Sequence, residues 1–123
     1  MKLLSDSEWD RKLGIDTSGG HNHQTDGENY PYEPTPYSVL QRLAESGYVT
    51  KNSVLVAYGC GKGRCVIFLR AMSGCTAMGV DYDERLIHIA CRNLEKAGLS
   101  RVSFVHTRAE TFDVPGQADA FSG

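Results

Sequence analysis

The chain has 123 residues, of which 41% are hydrophobic, and a formal net charge of −2 at neutral pH. This length accommodates one small domain, and the apolar content is that of a globular protein. The small net charge supplies no field that would attract nucleic acid or an anionic membrane surface. Since no apolar run approaches the ~20 residues of a membrane span, and none near the start is long enough for a secretory signal, we expect a cytoplasmic protein.

Residues 1–37 form a polar N-terminal segment, and residues 38–123 are expected to form the folded domain. The segment is predicted to contain a short helix around residues 5–13. Its prolines keep the chain before the domain extended, because proline disfavours helix in the preceding residue. The apolar pattern then predicts helices and strands in regular alternation. The predicted helices span about 37–45, 62–72 and 84–97, and the predicted strands span 53–58, 76–81, 102–106 and 118–122.

The alternation of strands and helices predicts an α/β fold, a parallel sheet with flanking helices. Asp83 and Gly98 are residue types that commonly begin and end a helix such as the one between them. Each helix is expected to bury one apolar face. The predicted buried residues are Cys65, Phe68, Leu69 and Met72 in helix 62–72, and Leu86, Ile89, Ala90 and Leu94 in helix 84–97.

A glycine-rich turn follows the first predicted strand. The apolar run 54–58 leads into the sequence GCGKG at 59–63. Glycine lets a backbone turn tightly and approach a ligand closely. The next strand ends in Asp81, eighteen residues beyond Gly63 and at the same edge of the sheet. A carboxylate at that edge can accept hydrogen bonds from both hydroxyls of a ribose, so the pattern predicts binding of an adenosine-type cofactor.

The spacing of the glycines decides between cofactors. A dinucleotide fingerprint needs a third glycine at position 64, where the chain has Arg64. A phosphate-binding Walker loop needs Ser or Thr after Gly61-Lys62, where the chain has Gly63. The remaining pattern, G-x-G-x-G followed by a strand-end acid, resembles the first motif of class I S-adenosylmethionine-dependent methyltransferases. The resemblance extends from about Val54 to the end of the chain.

This resemblance implies a Rossmann-like fold, S-adenosyl-L-methionine as cofactor, and methyl transfer to an acceptor that is a small molecule, a protein or a nucleic acid. The glycine loop would pass under the ribose and the methionine part of the cofactor. Asp81 would bind the ribose hydroxyls, and Tyr82 would lie against the adenine. The implied cofactor-binding residues are Tyr58, Gly59, Cys60, Gly61, Gly63, Asp81, Tyr82, Arg108 and Ala109.

Two positions depart from the family pattern. The family usually has an acid two residues before the first glycine, near the cofactor ammonium, and here that residue is Ala57. The position expected to accept from the adenine amino group is Arg108, which has no acceptor. The backbone amide of Ala109 would still reach the ring, and Thr107 or Glu110 are alternative acceptors. No catalytic residue is assigned by the resemblance.

The sequence also ends just after the fourth predicted strand, so the resemblance is to the N-terminal part of the family fold, as in a truncated chain. An uncovered fourth strand would favour self-association through its edge. The favoured hypothesis is a methyltransferase. The alternatives are a catalytically inactive cofactor-binding remnant or assembly partner and, less favoured because of Arg64, a nicotinamide-dependent oxidoreductase fragment.

Several other residues were candidates for a role. The segment from Trp9 to Tyr37 resembles the leader of some bacterial methyltransferases. Within it, residues 32–37 form either a lid over the cofactor or a linker docked by its aromatic residues. For Lys62 and Arg64, we favour exposed basic side chains at a helix start over binding of an anionic substrate. The four cysteines are expected to be buried, reduced thiols. His21 and His23 lack further ligands nearby, so no metal site is predicted.

Overall fold

The computed structural model describes residues 3–19 and 33–108 and the backbone of residues 118–122. Within these ranges, helices and strands alternate as the sequence predicts. The predicted helix 62–72 begins two residues later, and the other bounds agree within one residue. The elements are α1 (Asp6–Leu13), α2 (Tyr37–Glu45), β1 (Val54–Tyr58), α3 (Arg64–Ser73), β2 (Thr76–Asp81), α4 (Glu84–Ala97), β3 (Val102–His106) and β4 (Ala118–Ser122).

The strands form a parallel sheet in the order β3-β2-β1-β4. The chain moves outward from β1 to β3 on one side and then returns to pair β4 with the other side of β1. The strand order therefore reverses at β1, and ligands of such sheets bind beyond the carboxyl ends of the strands at this point. The predicted parallel α/β fold is confirmed, and its glycine-rich turn lies at the reversal.

Local sequence signals explain where the helices begin and end. Ser5 forms a capping box with Glu8 at the start of α1, and Gly14 ends that helix in the left-handed conformation with φ of 76°. At α4, the Asp83 carboxylate accepts a 3.0 Å hydrogen bond from Arg85 N, and Gly98 ends the helix with φ of 67°. The predicted roles of Asp83 and Gly98 as helix caps are confirmed.

The hydrophobic core joins the sheet to the helices that precede it. The ring of Phe68 on α3 contacts both Trp9 of α1, at 5.1 Å between centroids, and Tyr37 of α2, at 5.3 Å. All three residues are buried in the same cluster as Leu55 of β1. Aromatic pairs at such distances stabilise a core beyond the area they bury. The helix of the polar N-terminal segment is therefore part of the core of the folded domain.

Some predicted buried residues are more exposed than expected. Met72 is exposed because it lies in the last turn of α3, beyond the part of that helix enclosed between the sheet and the N-terminal helices. Ile89 and Leu94 are only half-buried, and the inward face of α4 instead includes Ile87 and Asn93. Asn93 faces inward because its amide group donates hydrogen bonds to the Asp16 and Lys62 carbonyls.

The cysteines are also not all buried. Cys60, Cys65 and Cys75 are buried, as predicted, but Cys91 is exposed on the outer face of α4. All four have free thiols. No helix within the described ranges is both long and apolar enough to cross a membrane.

The close packing at Gly79 of β2 provides a test of this architecture. A Cβ atom at this position would lie 2.7 Å from Cδ1 of Phe104 and 2.8 Å from Cβ of Cys60. We expect Gly79→Ala to lower the free energy of unfolding by about 1–3 kcal/mol, as overpacking does in other cores. Urea unfolding followed by circular dichroism measures the change. Adding Phe104→Leu relieves one of the two clashes, so recovery should be partial, and an unchanged midpoint for the single variant would contradict the packing.

Candidate cofactor site

The glycine loop, residues 59–63, lies at the carboxyl end of β1. Its three glycines all have positive φ, which residues with side chains rarely adopt. At Gly63, with φ of 93°, a Cβ atom would also lie 2.9 Å from the Phe104 ring. The turn is closed by a 3.0 Å hydrogen bond from Gly63 N to the Cys60 carbonyl. Position 63 thus requires glycine for both its backbone conformation and its packing.

The first half of the loop is attached to the end of β2. The backbone N–H groups of Gly59 and Cys60 both donate to the Val80 carbonyl, at 2.7 and 3.2 Å. Tyr58, the last residue of β1, is half-buried and pairs in register with Val80. The path of the loop after β1 is therefore set by its hydrogen bonds to the neighbouring strand.

Asp81 connects the glycine loop to the chain after β2. One carboxylate oxygen accepts a 2.9 Å hydrogen bond from Gly61 N, and the other accepts one of 2.9 Å from Asp83 N. The side chain is only 6% exposed. A carboxylate has roughly four lone-pair positions, so these two bonds leave acceptor capacity for ligand hydroxyls. The structure thus brings together the two parts of the predicted motif, the loop and the strand-end acid.

Tyr82 and the end of β3 lie next to this carboxylate. The Tyr82 side chain is 61% exposed, and its carbonyl is 3.0 Å from Nε2 of His106. The Asp81 carbonyl accepts a 3.0 Å bond from Thr107 N, which ties β3 to the end of β2. Arg108 follows and is exposed. The predicted site residue Ala109 and the alternative acceptor Glu110 lie outside the described residues.

Ala57 occupies the position where the related motif has an acid. It is fully buried within β1, opposite Gly79 of β2 and Phe121 of β4. Its methyl group can neither accept a hydrogen bond nor pair with a cation. The structure thus gives this position a packing role within the sheet.

Lys62 and Arg64 are not exposed basic residues, contrary to the sequence prediction. They are only 2% and 4% exposed. Lys62 Nζ donates a 2.7 Å hydrogen bond to the Ser18 carbonyl, and Arg64 Nε donates one of 2.7 Å to the Thr17 hydroxyl. Burial lowers the pKa of Lys62, an effect opposed by the nearby carboxylates of the N-terminal segment. Both side chains contact that segment.

The described end of the possible lid is docked. Tyr37 is fully buried at the start of α2, and its hydroxyl donates a hydrogen bond to the Asp10 carboxylate. Burial and that hydrogen bond raise the pKa of Tyr37. This supports the linker interpretation for residues 33–37, whereas Tyr32 lies outside the described residues.

One cleft among the described residues is separate from the glycine loop. It has a volume of about 1000 Å³ and opens beside α1. None of the predicted cofactor residues lines it, although Arg64, the residue after Gly63, does. Its carboxylates belong to Asp6, Asp10, Asp16 and Glu33.

Within residues 3–19, 33–108 and 118–122, no group of three or more His, Cys, Asp or Glu side chains is arranged to hold a metal ion. His21 and His23 lie outside these ranges. The candidate site is the glycine loop with Asp81, which is hydrogen-bonded to it, and the adjacent Tyr82.

The thiol of Cys60 provides a probe of the loop. Burial raises the pKa of Cys60, and the neighbouring Asp81 charge raises it further, while burial raises the pKa of Cys65 to about 12. Since thiolates are the reactive species, iodoacetamide at pH 8 should modify Cys91 alone in the folded chain and all four cysteines in denaturant. Mass spectrometry measures the labelling. Cys91→Ser is the matched control and should take up no label when folded, and rapid modification of Cys60 would contradict the loop structure.

Comparison with known proteins gives a family match and several relatives. The model of a family described as "Methyltransferase domain" matches residues 55–122. A protein-lysine N-methyltransferase of Saccharolobus islandicus is 35% identical over 77 residues, which cover 61% of this chain and 48% of that protein. The chain thus spans about half the length of this curated relative.

Solved structures show the same fold. An RNA methyltransferase from Salinibacter ruber, in complex with S-adenosyl-L-homocysteine, is 31% identical, with a TM-score of 0.65 over 70% of this chain and 56% of that one. A SAM-dependent methyltransferase from Thiobacillus denitrificans, also with S-adenosyl-L-homocysteine, is 22% identical, with a TM-score of 0.64 over 72% of this chain and 36% of that one. The second likeness supports the fold alone.

Proposed function

This chain belongs to the methyltransferase domain family, and we propose that it binds S-adenosyl-L-methionine and takes part in methyl transfer. The observation that carries the proposal is the hydrogen bond between Gly61 N and the Asp81 carboxylate. It unites the glycine loop with a strand-end acid beyond the sheet, where the strand order reverses. The relative from Salinibacter ruber, which is complexed with S-adenosyl-L-homocysteine, supports the choice of cofactor.

The described residues fit the adenosine end of the cofactor, but they offer fewer partners for its methionine end. Asp81 retains acceptor capacity for the two ribose hydroxyls, and the exposed ring of Tyr82 next to it offers a surface for the adenine. Glycine at positions 59 and 61 removes side chains that would block the ribose and methionine parts. Ala57 supplies no carboxylate for the ammonium, which would lower the affinity for that part of the cofactor.

The chemistry places modest demands on the protein. The bound cofactor supplies a methyl group on a sulfonium, already activated toward nucleophiles. The residues of this chain would therefore act by binding and orientation, and a large part of the rate would come from proximity. This role suits a site made of a glycine loop and a hydrogen-bonding acid, since neither needs to exchange a proton.

Calorimetric titration with S-adenosylhomocysteine tests the cofactor site. We expect the wild-type chain to bind it and not NAD. Asp81→Ala should weaken binding by about ten- to a hundredfold, because charged hydrogen bonds contribute about 1.5–3 kcal/mol and the variant loses those to the ribose as well as the one that holds Gly61 N. Glu84→Gln, which removes an exposed carboxylate from the first turn of α4, is the matched control and should bind within about twofold of wild type. A folded wild-type chain without affinity would refute the proposal.

For the acceptor, we propose a protein lysine. The relative from Saccharolobus islandicus, which is 35% identical over 77 residues, is a protein-lysine N-methyltransferase, and this likeness is what supports the proposal. We also propose a cytoplasmic location. The four cysteines are free thiols, as is usual for proteins of a reducing compartment.

Transfer of radiolabelled methyl groups distinguishes the acceptor classes. We expect label from S-adenosylmethionine to enter lysine-rich protein, and prior acetylation of the lysines should abolish it. Label in RNA alone would contradict the lysine proposal while leaving methyl transfer intact. Binding of the cofactor without transfer to either acceptor would favour the second candidate, a cofactor-binding domain without catalysis, for which Ala57 is the specific structural observation.

A further inference from the structure

Polar side chains are buried behind the glycine loop, between the loop and the N-terminal segment. Lys62, Arg64 and Asn93 are each less than 5% exposed, although residues of these types are usually solvated. A buried polar group is destabilising unless it is hydrogen-bonded, so the partners of these three residues reveal what the burial achieves. Partners of all three lie within residues 16–18 of the N-terminal segment.

Asn93 of α4 connects that segment directly to the loop. Its amide nitrogen donates to the Asp16 carbonyl at 3.0 Å and to the Lys62 carbonyl at 2.9 Å. Its amide oxygen accepts a 3.1 Å hydrogen bond from Asp16 N. One side chain thus pairs with the backbone of the segment in both directions and also fixes the orientation of a peptide unit inside the glycine loop.

Lys62 forms the second connection from the loop. Its Nζ atom donates to the Ser18 carbonyl at 2.7 Å, two residues beyond the contact of Asn93. The backbone carbonyl of Lys62 is held by α4, and its side chain is held by the segment. Lys62 is therefore held from two sides, and it follows Gly61, whose backbone N–H donates to Asp81.

Arg64 and Asp10 attach the segment to the start of α3. Arg64 donates to the Thr17 hydroxyl at 2.7 Å and to the Asp6 carboxylate at 3.2 Å, and its guanidinium lies 4.5 Å from the centre of the Tyr37 ring. Asp10 accepts hydrogen bonds of 2.7 Å from both the backbone N–H and the hydroxyl of Thr17. Residues 16–18 are thus held by groups on α1, α3 and α4 together.

We propose that residues 16–18 are an integral part of the cofactor site and that Asn93 is a positioning residue, which sets the conformation of the glycine loop through Asp16 and Lys62. The expected effect on cofactor affinity rests on the proposed function. The expected effect on the conformation of the loop does not depend on it. Loss of the Asn93 amide leaves two carbonyls and one N–H without this partner and frees the loop peptide to rotate away from its binding conformation.

The matched comparison is Asn93→Ala against Val49→Ala in the 123-residue chain. Val49 is a buried core residue that comes before the amino end of β1, whereas the loop follows the carboxyl end of that strand. With both variants shown to be folded by circular dichroism, we expect Asn93→Ala to weaken S-adenosylhomocysteine binding about tenfold or more, and Val49→Ala to change it less than about twofold. A general loss of stability would affect both variants and would not separate them.

Hydrogen exchange of the loop amides provides a readout independent of the ligand. The Gly61 and Gly63 amides should exchange faster in Asn93→Ala than in wild type and be unchanged in Val49→Ala. If wild-type protein does not bind S-adenosylhomocysteine, the proposed function fails, and exchange alone decides whether Asn93 positions the loop. Wild-type affinity together with wild-type exchange in Asn93→Ala would overturn the inference.

Thr17→Val covers the case in which Asn93→Ala does not fold. It replaces a hydroxyl that joins Asp10 to Arg64, two residues outside the glycine loop, with a methyl group of similar size. Faster exchange at Gly61 and Gly63 and weaker binding would support coupling through the segment. Unchanged binding and exchange in this variant would show that the segment is not needed to position the loop.

Discussion

The candidate site depends on one hydrogen bond, which Gly61 N donates to the Asp81 carboxylate. This contact requires parallel pairing of β1 with β2, so that both strands end at the same level, and a loop that turns back toward β2. The second oxygen of the same carboxylate accepts a hydrogen bond from Asp83 N, at the start of α4. Because a buried carboxylate without such partners would be strongly destabilising, the loop, the strand end and the helix start depend on one another.

A second requirement comes from the charges buried behind the loop. Removing a guanidinium from water has an effective penalty of several kcal/mol, which must be offset by hydrogen bonds of good geometry. Arg64 obtains them from Thr17 and Asp6, and the ring of Tyr37 covers its guanidinium. These partners precede the glycine loop in the chain. The N-terminal segment therefore contributes to the interior of the domain, although its polar composition is that of an exposed leader.

Whether a feature could be predicted from the sequence depends on how far apart along the chain its interacting residues lie. Strands β1 and β2 and the caps of α4 are predictable because apolar runs and capping residues act over a few positions. The buried state of Lys62 and Arg64 is not, since their partners are 44 and 47 positions away and residue type alone favours exposure. Asn93 is a similar case, because Asp16 is 77 positions away. The sequence hints at these contacts only through the many polar residues around positions 10–18, which no local structural role explains.

These interactions hold the glycine loop from within the chain. Four of its backbone N–H groups, at residues 59, 60, 61 and 63, have partners in the chain. A binding loop that is fixed in this way loses little conformational entropy when a ligand binds. Affinity would then depend on the few groups that add contacts, chiefly Asp81 and the ring of Tyr82. The absence of a carboxylate at Ala57 would therefore weaken one end of the proposed site, while the hydrogen bonds that hold the loop do not involve the Ala57 side chain.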